Sequence, residues 1–293
     1  MNGVIVVDKP QGWTSHDVVG KMRRLAGTKA VGHLGTLDPM ATGVLPLVLN
    51  KATRLSQFYM KADKAYEGMI VLGQATDSYD ADGEPVGEAV ACSFGLAEIE
   101  EELAKFRGVI QQMPPAVSAK KINGVPAYKL ARQKKAVVLE PVQVTIHKLE
   151  ALGLEGNRLR IYVECVGGTY VRSIAHDLGV ALGCGAHLGS LRRVRSGEFT
   201  IGQARTMEQL TQLSAEGRLR EALISTANLL QEFPSERVSA EVARQIRHGR
   251  DFNTSPFTVA RDAKYVKAVD EAGEIIAIGE ARLPNLYHPI LVL

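Results

Sequence analysis

The sixteen residues from Val31 to Pro46, VGHLGTLDPMATGVLP, hold three glycines, two prolines and one carboxylate, so no regular helix can run through them. Pro39 pushes Asp38 out of the helical region toward extended backbone. Gly35 and Gly43 permit positive φ and close backbone approach on either side of it. A side chain held in this way can face a cleft. Asp-Pro among glycines is more often a plain turn, so the segment needs support from the rest of the chain before chemistry is assigned to it.

The flanking sequence supplies regular elements. GVIVV near the start reads as a buried strand, and TSHDVVGKMRRLAG as a helix with Thr14 or Ser15 as N-cap. Its apolar positions are Val18, Val19, Met22 and Leu25, and Gly27 closes it. Strands are expected at VLPLVL, AYEGMIVLG, VQVTIHKLEAL, RLRIYVECV and HLGSLRRVRSGEF. Helices are expected at KATRLSQFYMKA, at LAEIEEELAKFRG with Leu96, Ile99, Leu103 and Phe106 on one stripe, and at the end of GGTYVRSIAHDLGVALG. TMEQLTQL and REALISTANLLQ read as two more helices, leading to a boundary at Phe233-Pro234. Beyond it, a helix at SAEVARQIRHG and short strands in YVKAVD, EIIAIGEARL and YHPILVL make a small, mostly β module. The expected division is therefore 1–232, with a basic insertion at about 111–140, and 235–293.

Composition sets the class. A chain of 293 residues that is 45% hydrophobic and 23% charged folds as a globular protein. No apolar run approaches the roughly 18 residues of a membrane span, and no basic leader precedes the first apolar run, so a cytoplasmic protein without membrane contact is expected. The three cysteines, Cys92, Cys165 and Cys184, are widely spaced and read as buried thiols. Net charge is only +3, but it is unevenly spread. Residues 74–104 carry nine acidic side chains and no Lys or Arg, whereas 105–197 carry fifteen basic against five acidic. A basic segment of that size attracts a polyanion, while an ordinary solvated surface accounts for the charge equally well.

Several chemistries lack their signatures. There is no H-E-x-x-H and no Cys/His pairing at finger spacing, so no metal is expected. GCGAHL puts Leu188 where a dinucleotide fold needs its third glycine. Neither a phosphate loop nor a G-x-S-x-G elbow is present. Carboxylate chemistry without a cofactor remains.

Four stretches read together lift Asp38 above the turn reading: DKPQGWTSHDVV at 8–19, VGHLGTLDPMATGVLP at 31–46, KAYEG at 64–68 and GGTYVRSIAHDLG at 167–179. In order and spacing they resemble the bacterial tRNA pseudouridine synthase B family, as do MPPAVSAKKINGVPAYKLAR and LGCGAHLGSLRR. The tail resembles the small RNA-binding module called PUA. Leu34 departs from the family, many of whose members have a small or polar residue there; this touches the packing of the loop and not the reactive aspartate.

The resemblance implies an α+β fold: a pseudouridine synthase catalytic domain with a mixed, mainly antiparallel sheet flanked by helices, plus a compact β tail. It implies isomerisation of the T-loop uridine at position 55 of tRNA, without a cofactor and without an obligate protein partner; a monomer is expected because the tRNA T arm provides the partner surface. Asp38 falls on the catalytic aspartate, which either attacks the ribose C1′, as in retaining glycosidases, or removes the 2′ proton. Arg172 falls on its bidentate partner, and Tyr66 on the residue that stacks on uracil and can relay the C5 proton. His33 matches the side chain that fills the place of the flipped base, Tyr170 and Leu191 match further pocket positions, and Asp80 an acidic residue near the tyrosine. Lys120, Lys121, Lys129, Arg132, Lys134 and Lys135, with Arg192, Arg193 and Arg195, are the expected phosphate contacts. Two alternatives share these features: a non-catalytic factor that binds tRNA and helps it fold, and a guide-RNA-dependent relative. The inserted SAKKINGVPAYKLARQ favours the stand-alone enzyme over the latter.

Overall fold

Alternating and continuous apolar runs resolve into a ten-stranded mixed sheet in a computed structural model that describes residues 1–115, 140–260 and 262–293, with backbone pairing at Lys121–Ile122 and Val125–Pro126. Its main path runs Leu223–Ser225, Gly3–Lys9, Thr42–Leu49, Ala186–Ser196, Lys64–Leu72, Arg158–Cys165, Val142–Glu155, Gly108–Gln112. The short strand Val31–His33 lies beside Thr42–Leu49. Along the main path neighbours are antiparallel with one exception: Ala186–Ser196 meets Thr42–Leu49 in parallel, with Arg192 opposite Thr42 and Arg193 opposite Gly43. That contact lies directly after the Asp38 loop. At Gly43 (φ 97°) a Cβ would sit 2.2 Å from the Arg193 carbonyl oxygen, so the approach requires glycine.

The Gly3–Lys9 strand is apolar without a break from Val4 to Val7 because both of its faces are covered there. Ile5 and Val7 join the core formed with Val18, Val19 and Met22 of the Ser15–Ala26 helix and Met207 and Leu210 of the Met207–Ala215 helix. Val4 and Val6 point the other way, toward Val269, Ile275, Ile278 and Leu291 of a second sheet. Each such side chain contributes about 1.5–3 kcal/mol by leaving water. The second sheet has five strands: Ser235–Arg237, Tyr265–Val269, Ile275–Leu283, Leu286–Val292 and Phe252–Asn253. Polar clamps close the seam. Glu198 accepts from the Tyr59 hydroxyl and from the amides of Leu230 (3.0 Å) and Gln231 (3.1 Å). Lys267 Nζ donates to the Leu229 carbonyl at 3.0 Å.

The Ser15–Ala26 helix is capped as its sequence dictates, by a reciprocal Thr14/Asp17 capping box and by Gly27 at φ 61°. Two expectations fail. REALISTANLLQ does not form a helix: Leu223–Ser225 adds an edge strand opposite Gly3–Ile5, flanked by single 3₁₀ turns, because sheet pairing and the Ser225 cap win over weak local helix preference. KATRLSQFYMKA likewise becomes a 3₁₀ turn, Asn50–Leu55, and a four-residue helix, Ser56–Tyr59. Leu96, placed on the apolar stripe of its helix, is 44% exposed, while Ile99 and Leu103 carry the burial. No helix among the described residues is long and apolar enough to cross a membrane.

Candidate active site

Asp38 sits on the loop between Val31–His33 and Thr42–Leu49, and the DKPQGWTS segment holds that loop from beneath. Ser15 Oγ accepts from Leu37 N (2.8 Å) and donates to Leu37 O (3.1 Å). Gly12 N donates to Pro39 O at 2.8 Å. The fully buried Lys9 spends its ammonium on the carbonyls of Pro10 (3.0 Å), Trp13 (2.5 Å) and Pro39 (3.2 Å). Burial pushes its pKa down to about 8, against the pull of Asp38. Two sequence stretches that looked independent are thus one device for presenting a carboxylate.

Arg172 is the second residue of the Val171–Ala181 helix and is 4% exposed. Its Nε lies 3.0 Å from Asp38 Oδ2, while Nη1 lies 3.0 Å from Asp80 Oδ2 and 3.1 Å from the Ser78 carbonyl. Where the sequence led to a bidentate grip on Asp38, the guanidinium joins two carboxylates, its Nε on Asp38 and its Nη1 on Asp80. Asp80, matched from the sequence to an acidic residue near the tyrosine, meets Arg172 here. It is buried, takes no part in lining the cleft, and accepts from Arg172, from the Ser78 hydroxyl (2.6 Å) and from Asp82 N (3.1 Å). It orients the cation that orients Asp38. Burial pushes the Asp38 carboxyl above its ordinary range and Arg172 pulls it back. The Asp38 side chain nevertheless remains 38% exposed toward the cleft.

That cleft is a cavity of about 540 Å³, lined by Asp38, Lys64, Tyr66, Tyr170, Arg172 and Leu191 among others. The strands Lys64–Leu72 and Ala186–Ser196 form its floor, with Tyr66 opposite Arg193. Tyr66 is 7% exposed, and burial raises its phenol, which keeps the proton and offers the cleft a neutral ring. Tyr170 is fixed through its backbone by the buried Gln112 amide, at 2.8 Å to its nitrogen and 3.0 Å to its oxygen. His33 is half-buried at the end of its strand, outside the cavity lining, with Nδ1 accepting weakly from Gly35 N (3.4 Å). Burial, then the nearby Arg193, pushes its pKa down, so the imidazole is neutral.

Arg193 is not a surface phosphate contact. It is 1% exposed and donates to the carbonyls of Val44 (2.7 Å), Gly35 (3.0 Å) and Thr36 (3.4 Å). Adjacent strand residues face opposite ways, so Arg192 and Arg193 could not both reach the surface, and the period alone signals this. Arg192 faces outward, 40% exposed, and forks onto Asp8 at 2.7 and 3.0 Å. Arg195 pairs with Glu164. Lys120, Lys129, Arg132, Lys134, Lys135 and the side chain of Lys121 lie outside the described residues. Lys9, Lys64, Asp8 and Gln112 went unnoticed individually in the sequence. A lysine amid apolar strand residues was the available signal for the first two.

Residues 23–171 match the model of the TruB family pseudouridylate synthase N-terminal domain, and 172–231 that of the tRNA pseudouridylate synthase B C-terminal domain. A Solibacter usitatus protein named tRNA pseudouridine synthase B is 58% identical over the whole of both chains. One of the same name from Syntrophotalea carbinolica is 46% identical over 85% of this chain and 81% of its own. Among solved structures, an H/ACA RNP bound to a substrate RNA containing 2′-deoxyuridine is similar with a TM-score of 0.75 and 25% identity, over 99% of this chain and 84% of that one. The loop aspartate, its shared arginine and the floor tyrosine thus stand in a chain that belongs to the TruB family of pseudouridylate synthases.

Proposed function

We propose that this protein isomerises uridine to pseudouridine in tRNA, at position 55 of the T loop, with Asp38 as the residue that acts on the ribose. The observation that carries this reading is the Asp38–Arg172 contact of 3.0 Å at the mouth of a cavity floored by Tyr66. The reaction breaks N1–C1′, turns the base over and joins C5 to the same carbon. It needs a carboxylate that is ionised, aimed and free to approach C1′ or the 2′ hydrogen, and the divided Arg172 fork provides that. Tyr66 and Leu191 would sandwich the extruded uracil, Tyr170 would close its edge, and His33 would stand in the stack that the base vacates. The basic segment at 111–140, Arg192 and a PUA-like module at 235–293 would hold the T arm by its backbone and shape. The chain is proposed to act as a monomer in the cytoplasm.

The 58% identical relative carries the tRNA name, whereas the H/ACA protein is 25% identical, which supports the tRNA substrate over a guide-dependent one. The purified chain incubated with an unmodified tRNA transcript is expected to convert one uridine without change of mass. Asp38→Asn is expected to abolish the product while tRNA binding persists. Absence of product from the unaltered chain would refute the proposal.

A further inference from the structure

Lys64 begins the strand that carries Tyr66, and the same face of that strand turns both side chains toward the cleft. It is 5% exposed, an uncommon setting for an ammonium with no carboxylate bonded to it. Its Nζ donates to the carbonyls of Ala62 at 2.8 Å and, weakly, Met60 at 3.4 Å. It also lies against the turn that delivers Arg172, since a Cβ on Gly167 would sit 2.8 Å from it. An ammonium has three hydrogens, and among the described residues no acceptor takes the third. The other cations lining the cavity are engaged: Arg193 with three loop carbonyls, Arg172 with Asp38, Asp80 and Ser78.

Cleavage of N1–C1′ sends the bonding pair into the uracil ring, so negative charge grows on N1 and on the ring oxygens. The sugar carbon becomes cationic and is either captured by the Asp38 carboxylate or relieved when Asp38 takes the 2′ proton. On either route the departing base is an anion. It stays one until C5 attacks C1′, which leaves a neutral adduct; the C5 proton is then lost and N1 gains one. Asp38 serves the sugar and cannot serve the base. We propose that Lys64 is the hydrogen-bond donor that stabilises the departing uracil anion, by presenting its remaining N–H to a ring oxygen while Tyr66 holds the ring face. No proton changes hands in this step; the ammonium acts as a fixed electrophile, worth most in a site closed to water. This inference rests on the pseudouridine synthase reading above.

The surroundings also make the donor titratable. Burial and the neighbouring Arg193 lower Lys64 to about 8, while Cys165 and Asp63 oppose the shift. Tyr66 and the Asp38 loop face the same space. Lys9, near Asp38, is likewise lowered to about 8, so only variants can assign an alkaline limb.

The test measures the single-turnover rate at which N1–C1′ is broken and C5 is joined to C1′ on tRNA carrying uridine or 5-fluorouridine at the target position; fluorine leaves no C5 proton to lose, so this step is read on both, and by withdrawing electrons it stabilises the leaving anion without assistance. Lys64→Gln is expected to slow the uridine substrate by about 100-fold, equivalent to 2.7 kcal/mol of transition-state stabilisation. Its tRNA affinity should change less than threefold, and its deficit with 5-fluorouridine should shrink below about tenfold. The wild-type rate should fall above pH 8, and that limb should vanish in Lys64→Gln. Lys64→Arg, charged at every pH, should lose the limb as well, and serves if the Gln variant does not fold. Equal deficits on the two substrates, a rate within threefold of wild type, or a limb that survives both substitutions would each overturn the proposal. Failure of the unaltered chain to make pseudouridine would instead strike the function itself.

Discussion

Gly43→Ala tests whether the parallel contact beside the catalytic loop is as tight as it looks. Two costs combine. An alanine at φ 97° carries about 1–3 kcal/mol of backbone strain. Its methyl would also meet the Arg193 carbonyl at 2.2 Å and the Arg193 nitrogen at 3.0 Å, and overpacking of this kind adds about 1–3 kcal/mol. The sum is about 2–6 kcal/mol. Gly27→Ala is the control: φ is 61°, but nothing lies within 4 Å of the added methyl, so only the backbone cost of about 1 kcal/mol remains. For chains of this order, about 1 kcal/mol moves Tm by about 2–4 °C. Thermal unfolding followed by circular dichroism should therefore separate the two variants by several degrees. Arg193 would be pushed along with Gly43, so Gly43→Ala should also lose turnover on tRNA, which Gly27→Ala should keep. Equal Tm values for the two variants would refute the steric argument, leaving positive φ as the whole effect.

Asp80→Asn keeps the shape of the buried acceptor but removes its charge, and should lower kcat by about 10²-fold with tRNA affinity nearly unchanged, as read by single-turnover kinetics and filter binding. Because burial lifts the folded-state carboxyl of Asp38, its ionised form disappears as pH falls through that raised value; the acid limb of the rate should lie above the ordinary carboxylate range and move further up in Arg172→Met. Glu198→Ala leaves the Tyr59 hydroxyl and the Gln231 amide without their acceptor at the seam, and should cost about 1–3 kcal/mol in thermal unfolding, with Glu198→Gln recovering part of it.

Local pattern carried much of the fold. Capping signals at Thr14, Asp17 and Gly27 are short-range physics, and so are the alternating runs that became Arg158–Cys165 and Val142–Glu155. Leu223–Ser225 was misread because its strand character comes from pairing with Gly3–Ile5, more than two hundred positions away. The Asp38 loop was legible because glycine, proline and aspartate restrict their own backbone, and the resemblance named its partner. The division of Arg172 between Asp38 and Asp80 was not, since it depends on a contact across 92 positions that no local spacing encodes. Arg193 went inward for a reason the sequence did contain, the two-residue period of a strand, which a count of basic residues overlooks.

Val4 and Val6 turn toward the C-terminal sheet while Ile5 and Val7 turn toward the helices. That sheet is therefore a lid on the enzyme's own interior and not a detachable handle. Cutting the chain before Ser235 would bare Val4, Val6, Val44 and Val48 together, an oily scar that invites self-association. A relative that dispenses with this tail would have to repaint those valines with polar side chains, and such a colour change could be read directly from its first fifty residues.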